Sequence, residues 1–90
     1  MGRSRRTATV IAESVTVGAV LHAMRRRAGL SVHQVATRMR TSERAIELLE
    51  QGRRMGTWTT CGAYCRATGG SLVEIAVALE RMAVAAAEVA

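Results

Sequence analysis

Two short amphipathic segments separated by only three residues constrain the fold of this chain more than any other feature. Apolar residues recur at helical spacing over residues 32–39 and again over residues 43–50. Only Arg40, Thr41 and Ser42 lie between the two segments. Because a connection this short makes two helix axes cross steeply, we expect a compact helical unit at the centre of the chain.

The same periodicity predicts three further helices. Together with the central pair, the predicted helices cover residues 17–28, 32–39, 43–50, 57–68 and 71–87, and no strand is expected. Ser31 with Gln34, and Ser71 with Glu74, match the capping box that starts a helix. Ninety residues fit one small domain. The sequence therefore predicts a single all-α domain of five helices over residues 15–90, with a long C-terminal helix.

Residues 1–14 are predicted to form a basic N-terminal arm, partly flexible, because they show no helical periodicity. The segment begins with Arg3, Arg5 and Arg6 and continues with β-branched residues. Such an arm can follow a DNA duplex or enter its minor groove. Disorder with nonspecific attraction to DNA explains the composition equally well.

Positive charge is concentrated in the first two thirds of the chain. Residues 1–56 hold eleven Arg and four Glu, a net charge of +7, whereas residues 57–90 hold two Arg and three Glu, a net charge of −1. A basic face beside a nearly neutral one is suited to a polyanion, since arginine attracts phosphate with little regard to base sequence. Binding to a ribosome or to a membrane surface would give the same charge pattern.

Several classes of protein are disfavoured by what the sequence lacks. There is no Asp, no well-placed set of Ser, His and acid, and no glycine-rich phosphate loop, so we expect neither an enzyme nor a cofactor or small-molecule substrate. His22, His33, Cys61 and Cys65 lack metal-ligand spacing, so no metal is expected, and the two cysteines are interpreted as free, buried thiols.

Membrane insertion and binding of single-stranded nucleic acid are also disfavoured. No uninterrupted apolar stretch reaches the roughly 18 residues that a membrane span needs. The only aromatic residues, Trp58 and Tyr64, are expected to pack in the core and at its hinge instead of stacking on bases. We expect a soluble intracellular protein.

An ordered set of residues resembles a known family. It reads Leu21-x-x-Met24-Arg25-x-x-x-Gly29-Leu30-Ser31, then Val35-Ala36, then Ser42-x-x-x-Ile46-x-x-Leu49-Glu50-x-Gly52. Over residues 17 to about 80 the chain resembles the Cro and lambda-repressor (XRE-type) family of helix-turn-helix DNA-binding proteins. The resemblance implies that Arg25 forms a structural ion pair with Glu50. The chain departs from the family pattern at Val32, where Gln is usual, and at Arg40, where Gly is common.

The resemblance makes the second helix of the pair, residues 43–50, the recognition helix, and the residues predicted to read bases are Glu43, Arg44, Glu47 and Gln51. Arginine can grip guanine through two hydrogen bonds, and glutamate can accept from the cytosine amino group. A half-site containing C and G is therefore favoured. The alternative is that Glu47 only pairs with Arg44 on a solvated face and that specificity lies elsewhere.

A second set of residues is predicted to hold DNA phosphates. These residues flank the recognition helix or occupy a helix start, and they are His33, Arg38, Arg40, Arg53, Arg54 and Thr57. The alternative is that they are ordinary solvated charges and polar groups.

The last predicted helix carries a second apolar strip, formed by Val73, Val77 and Val84, opposite its core-facing residues. A terminal helix that is apolar on two sides favours a partner, and we interpret the strip as a homodimer interface. A symmetric dimer would present two recognition helices about 34 Å apart. The alternative is a frayed, alanine-rich tail.

Together these features predict a sequence-specific regulator of transcription that binds double-stranded DNA. The resemblance further implies a phage or prophage Cro-like repressor that binds a pseudo-palindromic operator as a homodimer. The alternative function is an antitoxin-like or host-protein-binding module that retains the helix-turn-helix fold for contact with a protein.

Overall fold

Five α-helices joined by short loops make up the structure, a computed structural model that describes residues 5–89 and the side chains of residues 7–89. The helices are α1 (Arg5–Ala28), α2 (Val32–Met39), α3 (Glu43–Glu50), α4 (Trp58–Thr68) and α5 (Leu72–Val89). No strand occurs between residues 5 and 89. The predicted all-α fold is confirmed, and α2 and α3 have the predicted bounds.

A single apolar core receives side chains from all five helices. Its buried members are Val17, Leu21, Met24, Val35, Ala36, Ile46, Leu49, Cys61, Tyr64, Cys65, Ala67 and Ile75. Tyr64 is the largest side chain that is completely buried. Cys61 and Cys65 are free thiols, and burial raises the pKa of both. They therefore pack as small neutral side chains, as predicted.

The turn between α2 and α3 is fixed by caps on both sides. At the start of α2, Ser31 Oγ accepts from the backbone N–H of Gln34, and Gln34 Oε1 accepts from that of Ser31, which confirms the capping box. Ser42 Oγ caps α3 by accepting from the N–H of Ala45. Between them Arg40 ends α2 in the left-handed conformation, with φ 55°. An L-residue pays about 1 kcal/mol or more there relative to glycine.

The prediction of an arm over residues 1–14 is wrong for residues 5–14, because α1 begins at Arg5. Arg3 lies outside the described residues, and Arg5 and Arg6 belong to the helix backbone. The N-terminal half of α1 packs antiparallel to the C-terminal half of α5, and a groove between them is lined by Ala8, Thr9, Ala12, Glu13, Leu79, Met82, Ala83 and Ala86. This contact between distant parts of the chain outweighs the weak helix propensity of the β-branched residues.

Helix α1 crosses the end of α3 at very short range, and two glycines make this possible. A Cβ atom on Gly18 would lie 2.5 Å from the carbonyl oxygen of Leu49 and 2.6 Å from that of Glu50. On the other side of the contact, Gly52 has φ 73°, and a Cβ there would lie 2.5 Å from Val15 Cα. Helix α3 and the residues after it are thus held against α1 through backbone contact.

The carboxylate of Glu50, the last residue of α3, connects three helices. Arg25 donates to it from Nε at 2.8 Å and from Nη2 at 3.0 Å. Tyr64 OH from α4 donates at 2.5 Å, and His22 Nδ1 from α1 lies 2.8 Å away. The predicted ion pair between Arg25 and Glu50 is therefore present, and it belongs to a larger cluster, named here the Glu50 cluster (His22, Arg25, Glu50 and Tyr64).

Opposing effects act on the pKa of Glu50. Burial alone would raise it, but the hydrogen bonds from Arg25, Tyr64 and His22 outweigh burial, and the pKa lies below its ordinary value. Burial and the neighbouring carboxylate raise the pKa of Tyr64 far above its ordinary value. The cluster therefore consists of an ionised Glu50, a charged Arg25 and a neutral Tyr64 at neutral pH.

Residues Thr7–Ala28 of α1 are long and apolar enough to cross a membrane when only length and composition are considered. The core helix of a soluble domain has the same length and composition. Here Val17, Leu21 and Met24 are buried among the other helices, and Arg25 is paired with Glu50. We interpret α1 as the central helix of the domain.

Replacing Gly18 with Ala should destabilise the protein by about 2 kcal/mol, because the added Cβ collides with backbone atoms of α3 that cannot rotate away. Gly62→Ala is a matched control within a helix, since the only atom near a Cβ at Gly62 is Nη1 of Arg66 at 3.4 Å. The control should stabilise by roughly 0.5–1 kcal/mol through helix propensity. Urea unfolding followed by circular dichroism measures both, and equal effects of the two substitutions would contradict the close approach.

Replacing Glu50 with Gln should lower the free energy of unfolding by about 3 kcal/mol at pH 7, because Arg25 loses its buried carboxylate. The pKa of Glu50 is lower in the folded chain than in the unfolded chain, so ionisation of Glu50 stabilises the folded state. This contribution is complete above the pKa of an unfolded glutamate, about 4.3. The contribution disappears as the pH falls through the folded-state value. The parent should thus lose more stability than Glu50→Gln between pH 6 and 3.

The control is Glu47→Gln on the same helix, where the carboxylate is 44% exposed and its single ion-pair partner is 3.5 Å away. Its expected effect is below about 0.5 kcal/mol. Thermal melts between pH 6 and 3 measure the stability of the parent and of both variants. Equal loss of stability in Glu47→Gln and Glu50→Gln would contradict the stabilising role of the Glu50 cluster.

Candidate nucleic-acid interface

The polar edge of α3 is open to solvent, as a base-reading surface requires. Glu43, Arg44 and Gln51 are exposed, while Glu47 and Leu48 are half-buried. On the opposite side of the helix, Ile46 and Leu49 are buried in the core. No other described helix covers the edge, so the surface predicted to read bases is free to meet a ligand.

One exposed side-chain contact and one exposed ion pair link polar residues at this edge. His33 Nδ1, at the start of α2, lies 3.3 Å from Glu43 Oε2, and Arg44 Nη1 lies 3.5 Å from Glu47 Oε2. Exposed pairs with such long contacts contribute little to stability. They can therefore be exchanged for contacts with bases or phosphates without loss of fold, although they also show that the acidic side chains partly neutralise their basic neighbours.

A groove beside α3, between the α2–α3 turn and the α3–α4 loop, brings three predicted phosphate-binding residues together. The groove is lined by a guanidinium at each side and by several hydroxyl groups, and its polar lining consists of Arg40, Thr41, Arg54, Thr57, Thr59 and Thr60. We call it the phosphate groove. Thr57 Oγ1 caps α4 by accepting from the N–H of Thr60, so this hydroxyl is already engaged.

The remaining predicted phosphate-binding residues lie outside this groove. Arg53 is exposed in the α3–α4 loop, where its N–H donates to Leu48 O. His33 sits beside Glu43 at the start of α2. Arg38 Nη1 donates to Ala67 O at 2.7 Å, near the end of α4. One side of the Arg38 guanidinium is thus occupied by the protein itself.

Sequence reasoning misjudged Trp58 and did not select Arg66. The indole of Trp58 is 60% exposed, which corrects the prediction that it packs in the core, whereas Tyr64 is buried as predicted. Trp58 is the first residue of α4. Arg66 is exposed on α4 and shares a depression with Arg38 and Arg40. Its position next to α2 depends on how the helices pack, which the sequence pattern does not give.

The apolar strip on α5 is exposed as predicted, with exposed fractions of 66% for Val73, 38% for Val77 and 57% for Val84. Val10, Ile11 and Val15 on α1 are also exposed. The domain therefore presents apolar surface on both of its longest helices.

Comparison with known proteins places the fold. The helix-turn-helix domain family matches residues 16–79, a range that includes all of α2, α3 and α4. A crystal structure of the clp gene regulator ClgR from Corynebacterium glutamicum is 27% identical, with a TM-score of 0.72 over 84% of this chain and 82% of that one. A second ClgR structure, 24% identical with a TM-score of 0.70 over 73% and 86%, shows the same fold. No functionally characterised protein matches the sequence itself. Since the matched family spans most of the chain, this protein belongs to the helix-turn-helix domain family.

Proposed function

We propose that this helix-turn-helix protein, a DNA-binding regulator of transcription, recognises a pseudo-palindromic operator as a homodimer. The observation that carries the proposal is the pairing of an uncovered polar edge on α3 with the phosphate groove on its flank. A recognition helix must enter the major groove while neighbouring donors hold the strands on either side. The open edge and the groove supply these two requirements next to each other.

Base reading is assigned to Glu43, Arg44, Glu47 and Gln51. The Arg44 guanidinium is 59% exposed and is engaged only by the long contact with Glu47. Exchanging that contact for the two acceptors of a guanine adds two good hydrogen bonds. Glu43 and Glu47 then face the neighbouring cytosine amino groups instead of phosphates. Phosphate contacts are assigned to the phosphate groove and to Arg53, with His33 at the start of α2.

The biological role is proposed as that of a phage or prophage Cro-like repressor in the bacterial cytoplasm, which excludes polymerase or a competing regulator from its site. The similar ClgR structures are of a clp gene regulator, and this supports the class of role, gene regulation. An antitoxin-like or host-protein-binding module on the same fold would use the acidic side chains of α3 and the α5 strip for a protein partner. Failure to prefer any sequence in its own upstream DNA would favour that alternative.

Replacing Arg44 with Ala should relax the preference for one base pair of the operator by about 1–3 kcal/mol, because the bidentate contact to guanine is lost. Arg53→Ala is the control, since a phosphate contact should weaken binding to all sequences alike and reduce the salt slope by about 0.9. Titration with the DNA upstream of the gene and with single-base variants measures both effects. Trp58, the only tryptophan, provides an intrinsic fluorescence signal. The contact assignment fails if both variants bind like the parent.

The proposed dimer joins two copies through the α5 strip in an antiparallel arrangement. Val77 and Val84 lie on one face with Glu80, Arg81 and Glu88 around them. Along the sequence of α5, the point midway between Val77 and Val84 is also the point midway between Glu80 and Arg81. A two-fold axis at this point therefore places Val77 opposite the partner's Val84 and Glu80 opposite the partner's Arg81. Both the apolar and the charged contacts occur twice, as an isologous interface requires.

Replacing Glu80 with Arg should weaken dimerisation roughly thirtyfold. Each of the two charge pairs changes from an attraction of about 0.5 kcal/mol to a repulsion of about the same size, which is about 2 kcal/mol in total. The double variant Glu80→Arg/Arg81→Glu should recover most of the affinity because it restores opposite charges. Glu88→Arg changes the net charge equally but faces the partner's Val73, and it serves as control. Sedimentation velocity measures the dimerisation affinity of each variant. If the double variant dimerises as weakly as Glu80→Arg, this arrangement is ruled out.

A further inference from the structure

A notch between α2 and α4 gathers three arginines. It is lined by Arg38, Met39, Arg40, Ala63, Arg66 and Ala67, and its volume is about 400 Å³. Half of these residues carry a guanidinium, and none carries a negative charge. Among the described residues, no acidic side chain forms an ion pair with Arg38, Arg40 or Arg66. We call this depression the arginine notch.

The structure holds two of the three guanidinium-bearing residues in place. Arg38 is anchored by its 2.7 Å hydrogen bond to Ala67 O, which keeps its side chain along α4. Arg40 is held by the left-handed turn, whose N–H donates to Ala36 O and Thr37 O. Arginine stays charged at every accessible pH, so three arginines that line one depression repel one another, and an anion between them would relieve the repulsion. The notch is therefore suited to an anionic group.

Arg40 also connects this notch with the phosphate groove. Met39, Arg40 and Ala63 line both depressions, so the two form one continuous surface that runs from the α3–α4 loop past the α2–α3 turn to α4. Arg54 and Thr57 stand at one end of this surface, and Arg38 and Arg66 stand at the other. A linear polyanion that binds in the phosphate groove and continues along this surface therefore contacts the arginine notch.

We propose that the arginine notch binds a backbone phosphate of the DNA strand that occupies the phosphate groove, outside the base pairs that α3 reads. The proposal rests on the proposed function, because it extends the DNA footprint of the same protein. Arg66 is then a DNA-binding residue contributed by α4. The shared chemistry is a phosphate group, and the competing source is free phosphate in solution.

The test compares Arg66→Gln with the parent on two duplexes, one trimmed to the operator and one with ten flanking base pairs on each side. On the longer duplex, loss of one phosphate contact should reduce the salt slope by about 0.9. The advantage of the parent over Arg66→Gln should therefore shrink roughly 3.5-fold between 50 and 200 mM salt. On the trimmed duplex the two proteins should bind alike. Arg66→Lys should keep the parent's slope on both duplexes, because the slope depends on charge.

Arg27→Gln is the matched control. It removes the same charge, but the guanidinium of Arg27 is taken up by Glu74 at 2.8 and 3.0 Å, away from the notch. Equal salt slopes for Arg66→Gln and Arg27→Gln on the longer duplex, with operator preference intact, would overturn the notch and leave the proposed function standing. Absence of any sequence preference in the parent would overturn both proposals.

The source of the phosphate is tested on the parent protein by nuclear magnetic resonance of the arginine side-chain N–H groups. The Arg66 signal should shift when the longer duplex is added and should not shift with inorganic phosphate alone. A shift with inorganic phosphate and none with the duplex would assign the notch to free phosphate and overturn its role in DNA binding.

Discussion

The buried carboxylate of Glu50 is the interaction on which the geometry of the recognition helix depends. It ends α3 and receives donors from α1 and α4, so the C-terminal end of the helix is fixed relative to both neighbours. Close backbone contact at Gly18 fixes the same end from the side. The opposite end of α3 is held by the Ser42 cap, by the tight turn at Arg40 and by the burial of Ile46 in the core. The C-terminal end of α3 is thus fixed by the Glu50 cluster, and its first turn exposes Glu43 and Arg44 to solvent.

The charge distribution around α3 explains how a partly acidic helix can face a polyanion. Glu43 and Glu47 stand on the helix itself together with Arg44, and the other arginines stand beside the helix. Folding brings Arg40 and Arg54 from different loops into one groove, and it adds Arg38 and Arg66 in the adjoining notch. The long-range attraction of the basic face is therefore separated from the short-range contacts that would discriminate between bases.

The two longest helices carry most of the exposed apolar side chains of the domain. Helices α1 and α5 pack antiparallel along a groove of small side chains, and each keeps exposed valines on its outer face. A pair of helices with uncovered apolar faces is suited to association with a second copy.

The sequence by itself determined the elements whose signals are local. The caps at Ser31 and Ser42, the apolar spacing of α2 and α3, and the pairing of Arg25 with Glu50 follow from residues within one or two turns, or from the resemblance to a known family. What only the tertiary structure decided depends on contacts between distant segments. The helical state of residues 5–14 requires α5, because their β-branched side chains give no helical signal alone. The exposure of Trp58 and the approach of Arg66 to Arg38 follow from how α4 packs, since burial and charge clustering are set by neighbours in space and not by neighbours in the chain.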